Sequence, residues 1–243
     1  MSAVTYQTRR MTVPAAEELL DHSFRCLDQG FVRLVDYMGG DARIVQSARV
    51  SYGDGTKTVS EDGALIDRLW REKHTSPFEQ VILTFHMKLP VFVARQIVRT
   101  RTARLNEISG RYSVMKDETY VPEPGDLRKQ SNKDKQATFD TDTLPEADAK
   151  DCVEEFKNLA GRAYRGYACM IDNKKLAREQ ARINLTLGLY TEWYFQLDLH
   201  NLMNFLRLRL DWHAQKETRV YAEAMAKCVE AVAPMAWKSF CEH

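Results

Sequence analysis

Nine residues, "VILTFHMKL" (81–89), alternate without a break: Val81, Leu83, Phe85, Met87 and Leu89 all fall on one side. A period of two over this length is the mark of a strand with one buried face, because successive side chains in a strand point to opposite sides. Pro90 ends the strand and can open a helix over "PVFVARQIVRT". There Val93, Ala94, Ile97 and Val98 make an apolar stripe, while Arg95 and Arg99, four residues apart, share another face. Just upstream, "HTSPFEQ" predicts a helix start, with Ser76 as N-cap, Pro77 in the first turn and Glu79 closing a capping box. "SGRYSVM" (109–115) predicts a return to extended chain.

Residues 116–150 are polar, carry three prolines and lack apolar periodicity for most of their length. They predict a long surface excursion within one domain. Beyond it, Val153, Phe156, Leu159, Ala160, Ala163, Tyr164 and Tyr167 recur at helical spacing. "LTLGLYTEWYFQL" is rich in β-branched and aromatic residues and reads as a strand. "DLHNLMNFLRLRL" reads as a short helix capped by Asp198. A last helix runs from about His213 to Ala233, with Val220, Ala224, Cys228 and Val232 on its core side and Pro234 stopping it. Strands and helices intermix without a βαβ rhythm, so the expected class is α+β, with a largely antiparallel twisted sheet flanked by helices.

A chain of 243 residues, 44% hydrophobic and 28% charged, can bury a sizeable core. Its net charge of +1 argues against nucleic-acid or membrane-surface binding, which needs a broad basic excess. No apolar run reaches the roughly 18 residues of a membrane span, and the first 20 residues do not read as a signal peptide. The five cysteines, Cys26, Cys152, Cys169, Cys228 and Cys241, are scattered, odd in number and without a CxxC. No metal site is expected from them, and a reducing cytoplasm is the expected compartment. None sits in a setting that activates a thiolate, and Cys169 and Cys228 are expected in the core.

Positive charge is concentrated in one place. Between Arg95 and Arg111 stand five arginines and one acid, Glu107. A solvated helix face with ion pairs is the plain reading of such a run. Two details favour an anion site instead. Arginine presents a fork suited to phosphate, and "SGR" adds a hydroxyl, a glycine that lets backbone N–H groups approach, and another guanidinium. A phosphorylated small molecule is the expected ligand. On the "DLHNLMNFLRLRLD" helix, His200, Asn204 and Arg207 share one face, whereas Arg209 lies about half a turn from His200. His74, before "TSPFEQ", is surplus to the cap.

"RTRTARLNEISGRYS" (99–113) resembles the signature of the flavin-dependent thymidylate synthases, an Arg-His-Arg followed seven residues later by a serine. "GFVRLVDYMGGDARIVQSARVSYG", "HTSPFEQVILTFHMKLPVFVARQ", "EQARINLTLGLYTEWYF" and "DLHNLMNFLRLRLDWHAQKE" are similar to the same family in its usual order, covering roughly residues 30–233. Two positions depart: Thr100 stands where the family has histidine, and Arg104 where a serine is common. Ser109 is kept. The resemblance implies one domain over residues 1–243, with an N-terminal arm (about 1–29) and the excursion as unmatched parts. It implies reductive methylation of dUMP to dTMP, with 5,10-methylenetetrahydrofolate as carbon donor and NADPH-reduced FAD as hydride source. It places FAD against Ser76, Arg99, Thr100, Arg101, Glu107, His200 and Asn204, with Asp198 nearby. dUMP falls to Gln96, Arg99, Glu107, Ser109, Gly110, Arg111, Arg182 and Arg209, of which Arg209 activates the uracil ring. His74 lies near flavin and folate. A homotetramer with sites shared between subunits is implied as well.

Three alternatives remain at this point. A non-catalytic nucleotide- or flavin-binding relative would read Thr100 and Arg104 as lost flavin chemistry. An RNA-binding module would use the arginines with Tyr112. A cysteine-dependent thymidylate synthase is disfavoured, because none of the five cysteines follows a proline, as that family's nucleophile does.

Overall fold

A computed structural model describes residues 10–50, 59–131 and 142–243. In chain order these build α1 (Pro14–Leu19), β1 (Ser23–Cys26), β2 (Gly30–Met38), α2 (Asp41–Arg49), α3 (Val59–Arg71), β3 (Ile82–Pro90), α4 (Val91–Ile97) and β4 (Arg104–Glu107). Then follow α5 (Glu146–Asp172), α6 (Arg178–Ala181), β5 (Tyr190–Asp198), α7 (Leu199–Arg209), α8 (Lys216–Val232) and α9 (Pro234–Glu242). The strands form one sheet in the order β1-β2-β3-β5-β4, every pair antiparallel. The α+β expectation holds.

The alternating segment is β3, at the centre of the sheet. Leu83, Phe85, Met87 and Leu89 are fully buried, and the first three face apolar residues of β5, Leu197, Phe195 and Trp193, while Leu89 faces the buried Thr191. β2 keeps this phase through Val32 and Leu34. A bulge between Leu34 and Asp36 then shifts the pairing, so that Tyr37 rather than Asp36 turns inward. Helix α8 covers the inner face of β1 and β2 with Tyr221, Met225, Cys228 and Val232. Burying these side chains contributes on the order of 1.5–3 kcal/mol for each large apolar one.

Several expectations change. "HTSPFEQ" does not begin an α-helix: Phe78–Gln80 is a single 3₁₀ turn, and neither Ser76 nor Glu79 makes a capping bond. The reason is room, because Val81 is already extended and the chain enters β3 at Ile82. Val98 is exposed, since α4 ends at Ile97. "SGRYSVM" begins with a turn over Gly110–Tyr112, and the extended stretch lies earlier, as β4. Pro234 stops α8 but also opens α9, which packs on α3. Cys169 is exposed on α5, whereas Cys26 joins Cys228 in the core. Pro14–Cys26 of the expected arm form α1 and β1, with β1 as a sheet edge, and residues 1–9 lie outside the described part.

The excursion is tied down where it is described. Thr119 bridges to Leu189, Lys88 pairs with Glu118 at 2.9 Å, Lys216 pairs with Asp126, and the last residues of the excursion enter α5. Helix α5 buries Ala149, Val153 and Tyr167, yet Phe156 and Leu159 in the expected stripe are each 47% exposed. Its C-terminal half meets a second, smaller core of Met115, Ala181 and Leu189.

Candidate functional site

Two concavities gather the chemistry. The first is a cleft of about 290 Å³ between the end of α3, the 3₁₀ turn and α7. His74 and Thr75 enter it from the loop, Trp70 from α3, and His200, Asn204 and Arg207 from α7. Asp198 caps α7 by accepting from the Asn201 backbone N–H at 2.9 Å, which fixes the helix start and the direction of His200. Spacing of four residues then sets Asn204 beneath His200, and the Asn204 amide lies 3.0 Å from His200 Nε2. That contact leaves Nδ1 as the N–H-bearing nitrogen. Nδ1 is buried and, among the described residues, has no partner. Arg207 lies over the Trp70 ring at 5.6 Å.

The second concavity, about 240 Å³, opens between the end of β4, the Gly110 turn and the residues after α6. Glu107, Gly110 and Arg182 line it. The buried Thr191 hydroxyl donates to Glu107 Oε1 at 2.5 Å, fixing one carboxylate oxygen. Gly110 lets Arg182 lie close to the turn: a Cβ there would stand 3.0 Å from Arg182 Cδ, and the arginine would have to give by a few tenths of an ångström. Ser109 Oγ accepts from the Arg111 backbone N–H at 3.3 Å, and Arg111 pairs with Glu179 at 2.8 Å. Tyr164 and Tyr167 clamp the backbone of Met115 just beyond the turn, each at 2.9 Å.

The remaining residues singled out in the sequence fall outside both linings. Arg99, Thr100 and Arg101 form the turn after α4, Gln96 bonds Gln215 at 2.5 Å, and Ser76 sits beside the cleft in the loop after His74. Arg209 is the last residue of α7 and is half-buried, away from the cleft that takes Arg207. Among the described residues the side chains of Arg99, Arg101, Arg182 and Arg209 make no hydrogen bond or ion pair. Within the run from Arg95 to Arg111, ion pairing therefore does not account for Arg99 and Arg101, whereas Arg111 is paired with Glu179. Trp70 and His243 also line the cleft and had no signal in the sequence, because α3 and α9 approach it only through tertiary packing. The buried thiols of Cys26 and Cys228 are pushed up to about 12 by desolvation, which removes both as nucleophiles.

The five-stranded antiparallel sheet thus carries two concavities, one with Arg182 against the Gly110 turn and one lined by His74 and His200. A family model described as "Thymidylate synthase complementing protein" matches residues 33–235. The chain is 58% identical to the flavin-dependent thymidylate synthase of Treponema denticola, over 92% of this chain and 84% of that one. With that of Treponema pallidum it shares 54% identity, over 95% of this chain and 75% of that one. Among solved structures, it is similar to a UMP/dUMP methylase, PolB from Streptomyces cacaoi, bound with 5-Br dUMP. That match has a TM-score of 0.80 at 28% identity and covers 90% of this chain and 97% of PolB. The chain belongs to the flavin-dependent thymidylate synthase family.

Proposed function

We propose that the chain catalyses the reductive methylation of dUMP to dTMP, taking its carbon from 5,10-methylenetetrahydrofolate and its reducing equivalents from NADPH through FAD, within a single domain. Membership of the family carries this reading, and the guanidinium groups of Arg99, Arg101, Arg182 and Arg209, without ion-pair partners among the described residues, are available to an anionic ligand. The cleft residues fit a flavin cofactor. His200 Nδ1 offers a buried N–H with no protein acceptor, and His74 and Arg207 add polar and cationic groups beside aromatic Trp70 and Phe78.

When bound, the flavin supplies the hydride that completes the new methyl group. The chain's own residues bind the ligands and stabilise charge. Arg182, Ser109, Gly110 and Arg111 hold the nucleotide phosphate, with Arg99 and Gln96 beside them. Glu107, held by Thr191, keeps one oxygen free to accept from a sugar hydroxyl. Arg209 would stabilise the negative charge that develops on the uracil ring. A fixed cation at that place keeps C5 electron-rich without a thiolate. Ser76, Arg99, Thr100, Arg101, Glu107, His200 and Asn204 would hold the flavin, with Asp198 nearby, and His74 would lie near flavin and folate.

A homotetramer completes the sites. The two concavities share no lining residue, and both are at the small end of ordinary ligand pockets, roughly 300–1,000 Å³. Exposed Phe156, Leu159, Ile183 and Leu187 supply apolar surface for a second copy to cover. Among the described residues no helix is long and apolar enough to cross a membrane, and the cytoplasm is the compartment we assign. The test is dTMP formation by the FAD-loaded protein, together with its mass in solution.

A further inference from the structure

We infer that Thr102 is a positioning residue of the flavin site: through Asp198, its hydroxyl locks the Arg99–Arg101 turn to the start of α7. The inference rests on the flavin reading above. Thr102 adopts φ +64, a left-handed backbone conformation that a β-branched residue rarely takes. Something must hold it there. The turn's own closure is one backbone bond, from Thr100 N–H to the Ile97 carbonyl at 3.0 Å. Thr102 itself is exposed, so packing does not impose the conformation. The contact that remains is Thr102 Oγ1 donating to Asp198 Oδ2 at 3.2 Å, across 96 residues of sequence.

Asp198 is well suited to act as the anchor. Its Oδ1 accepts from the Asn201 backbone and side-chain nitrogens at 2.9 and 3.1 Å, and Oδ2 accepts from the same amide at 2.9 Å as well as from Thr102. Three donor groups engage both oxygens of the carboxylate. Asp198 is thus committed to protein, and an anionic diphosphate has no reason to approach it. Its work is to join two pieces of cradle: the turn with the unpaired Arg99 and Arg101, and the helix that presents His200 and Asn204 from its first two turns. A threonine that ties these together sets the distance between the cationic and the histidine-bearing walls. Free of the tie, the turn relaxes towards ordinary φ values and carries its arginines away.

Thr102→Val keeps shape and β-branching and removes only the donor, while Thr102→Ser restores a hydroxyl. FAD dissociation constants are read by fluorescence titration of the apoprotein, and its Tm without FAD is measured in parallel. Thr102→Val should weaken FAD about tenfold, the scale of one hydrogen bond to a charged group, with the apoprotein Tm unchanged. Thr102→Ser should return to within about threefold of the native value. Equal FAD affinity for Thr102→Val and the native chain overturns the inference. So does a fall in Tm that accompanies the loss of affinity, or a serine variant no better than valine. A native protein with no FAD affinity overturns the flavin reading as well, which separates that failure from the others.

Discussion

In the histidine cleft the walls already hold one another: Asn204 meets His200, Arg207 lies on Trp70, and His243 reaches Asp67 at 2.9 Å. In the pocket beside Gly110, Arg182 rests against the turn with no ion-pair partner among the described residues, while nearby Arg111 pairs with Glu179. The cleft is preorganised by contacts within one chain, as suits a group that stays bound. The pocket keeps its charge unspent, as suits a substrate that enters and leaves with its own negative charge. Preorganised groups lose little when a ligand arrives, whereas an unneutralised guanidinium gains most of its interaction at that moment.

Substitutions on the two sides should therefore fail differently. The largest effect is expected at Arg209. Loss of two charge-assisted hydrogen bonds, each roughly 1.5–3 kcal/mol, from a uracil anion slows turnover on the order of 10² to 10⁴-fold. Arg209→Ala should keep its fold and its FAD, as read by flavin content and by dTMP formation at saturating dUMP. Arg207→Ala, on the cleft side, should mainly weaken FAD, several-fold, through its lost cation–π contact. Normal turnover in Arg209→Ala with a dead Arg207→Ala would exchange the two roles.

Arg182→Ala comes next. It should raise the KM for dUMP about 10- to 100-fold with a much smaller change in kcat, since a phosphate clamp acts alike on substrate and transition state. An altered FAD affinity without a change in KM would merge the two regions and break the comparison. A smaller effect is expected from replacing all five cysteines with serine or alanine. Turnover should persist, with about 1–3 kcal/mol of stability lost through the buried Cys26 and Cys228, measured by denaturant unfolding. In the folded native chain, thiol reagents should modify the exposed Cys152, Cys169 and Cys241 and spare Cys26 and Cys228. The smallest effect is expected at Thr100. Thr100→His should tighten FAD or leave it unchanged, and a large loss would mean that the turn is built around the smaller side chain.

Strands with one buried face were legible in the sequence because burial imposes a period of two, as at Leu83, Phe85 and Met87. β4 was not, because Arg104–Glu107 is an edge strand exposed along its whole length and burial imprints no alternation on it. The cap motif at Ser76 misled, since three residues of 3₁₀ turn satisfy a proline as well as a helix does. The stripe through Phe156 and Leu159 was correctly helical but faces outward, because periodicity says which residues share a face and not what covers it. At the site, the four-residue step of His200 and Asn204 was readable from helix geometry, and so was the grouping of Arg207 with them. Trp70, His243 and the Thr102–Asp198 tie were not, because each depends on segments brought together only by tertiary packing.

The central claim is that this chain makes dTMP by flavin chemistry with charge, rather than a thiolate, activating uracil. The most direct measurement follows dTMP formation by the five-cysteine replacement with dUMP, methylenetetrahydrofolate and NADPH, in the presence and absence of FAD. The account predicts turnover that requires FAD and survives the loss of every cysteine. Activity that vanishes with the cysteines while FAD still binds, or that proceeds equally without FAD, would contradict it.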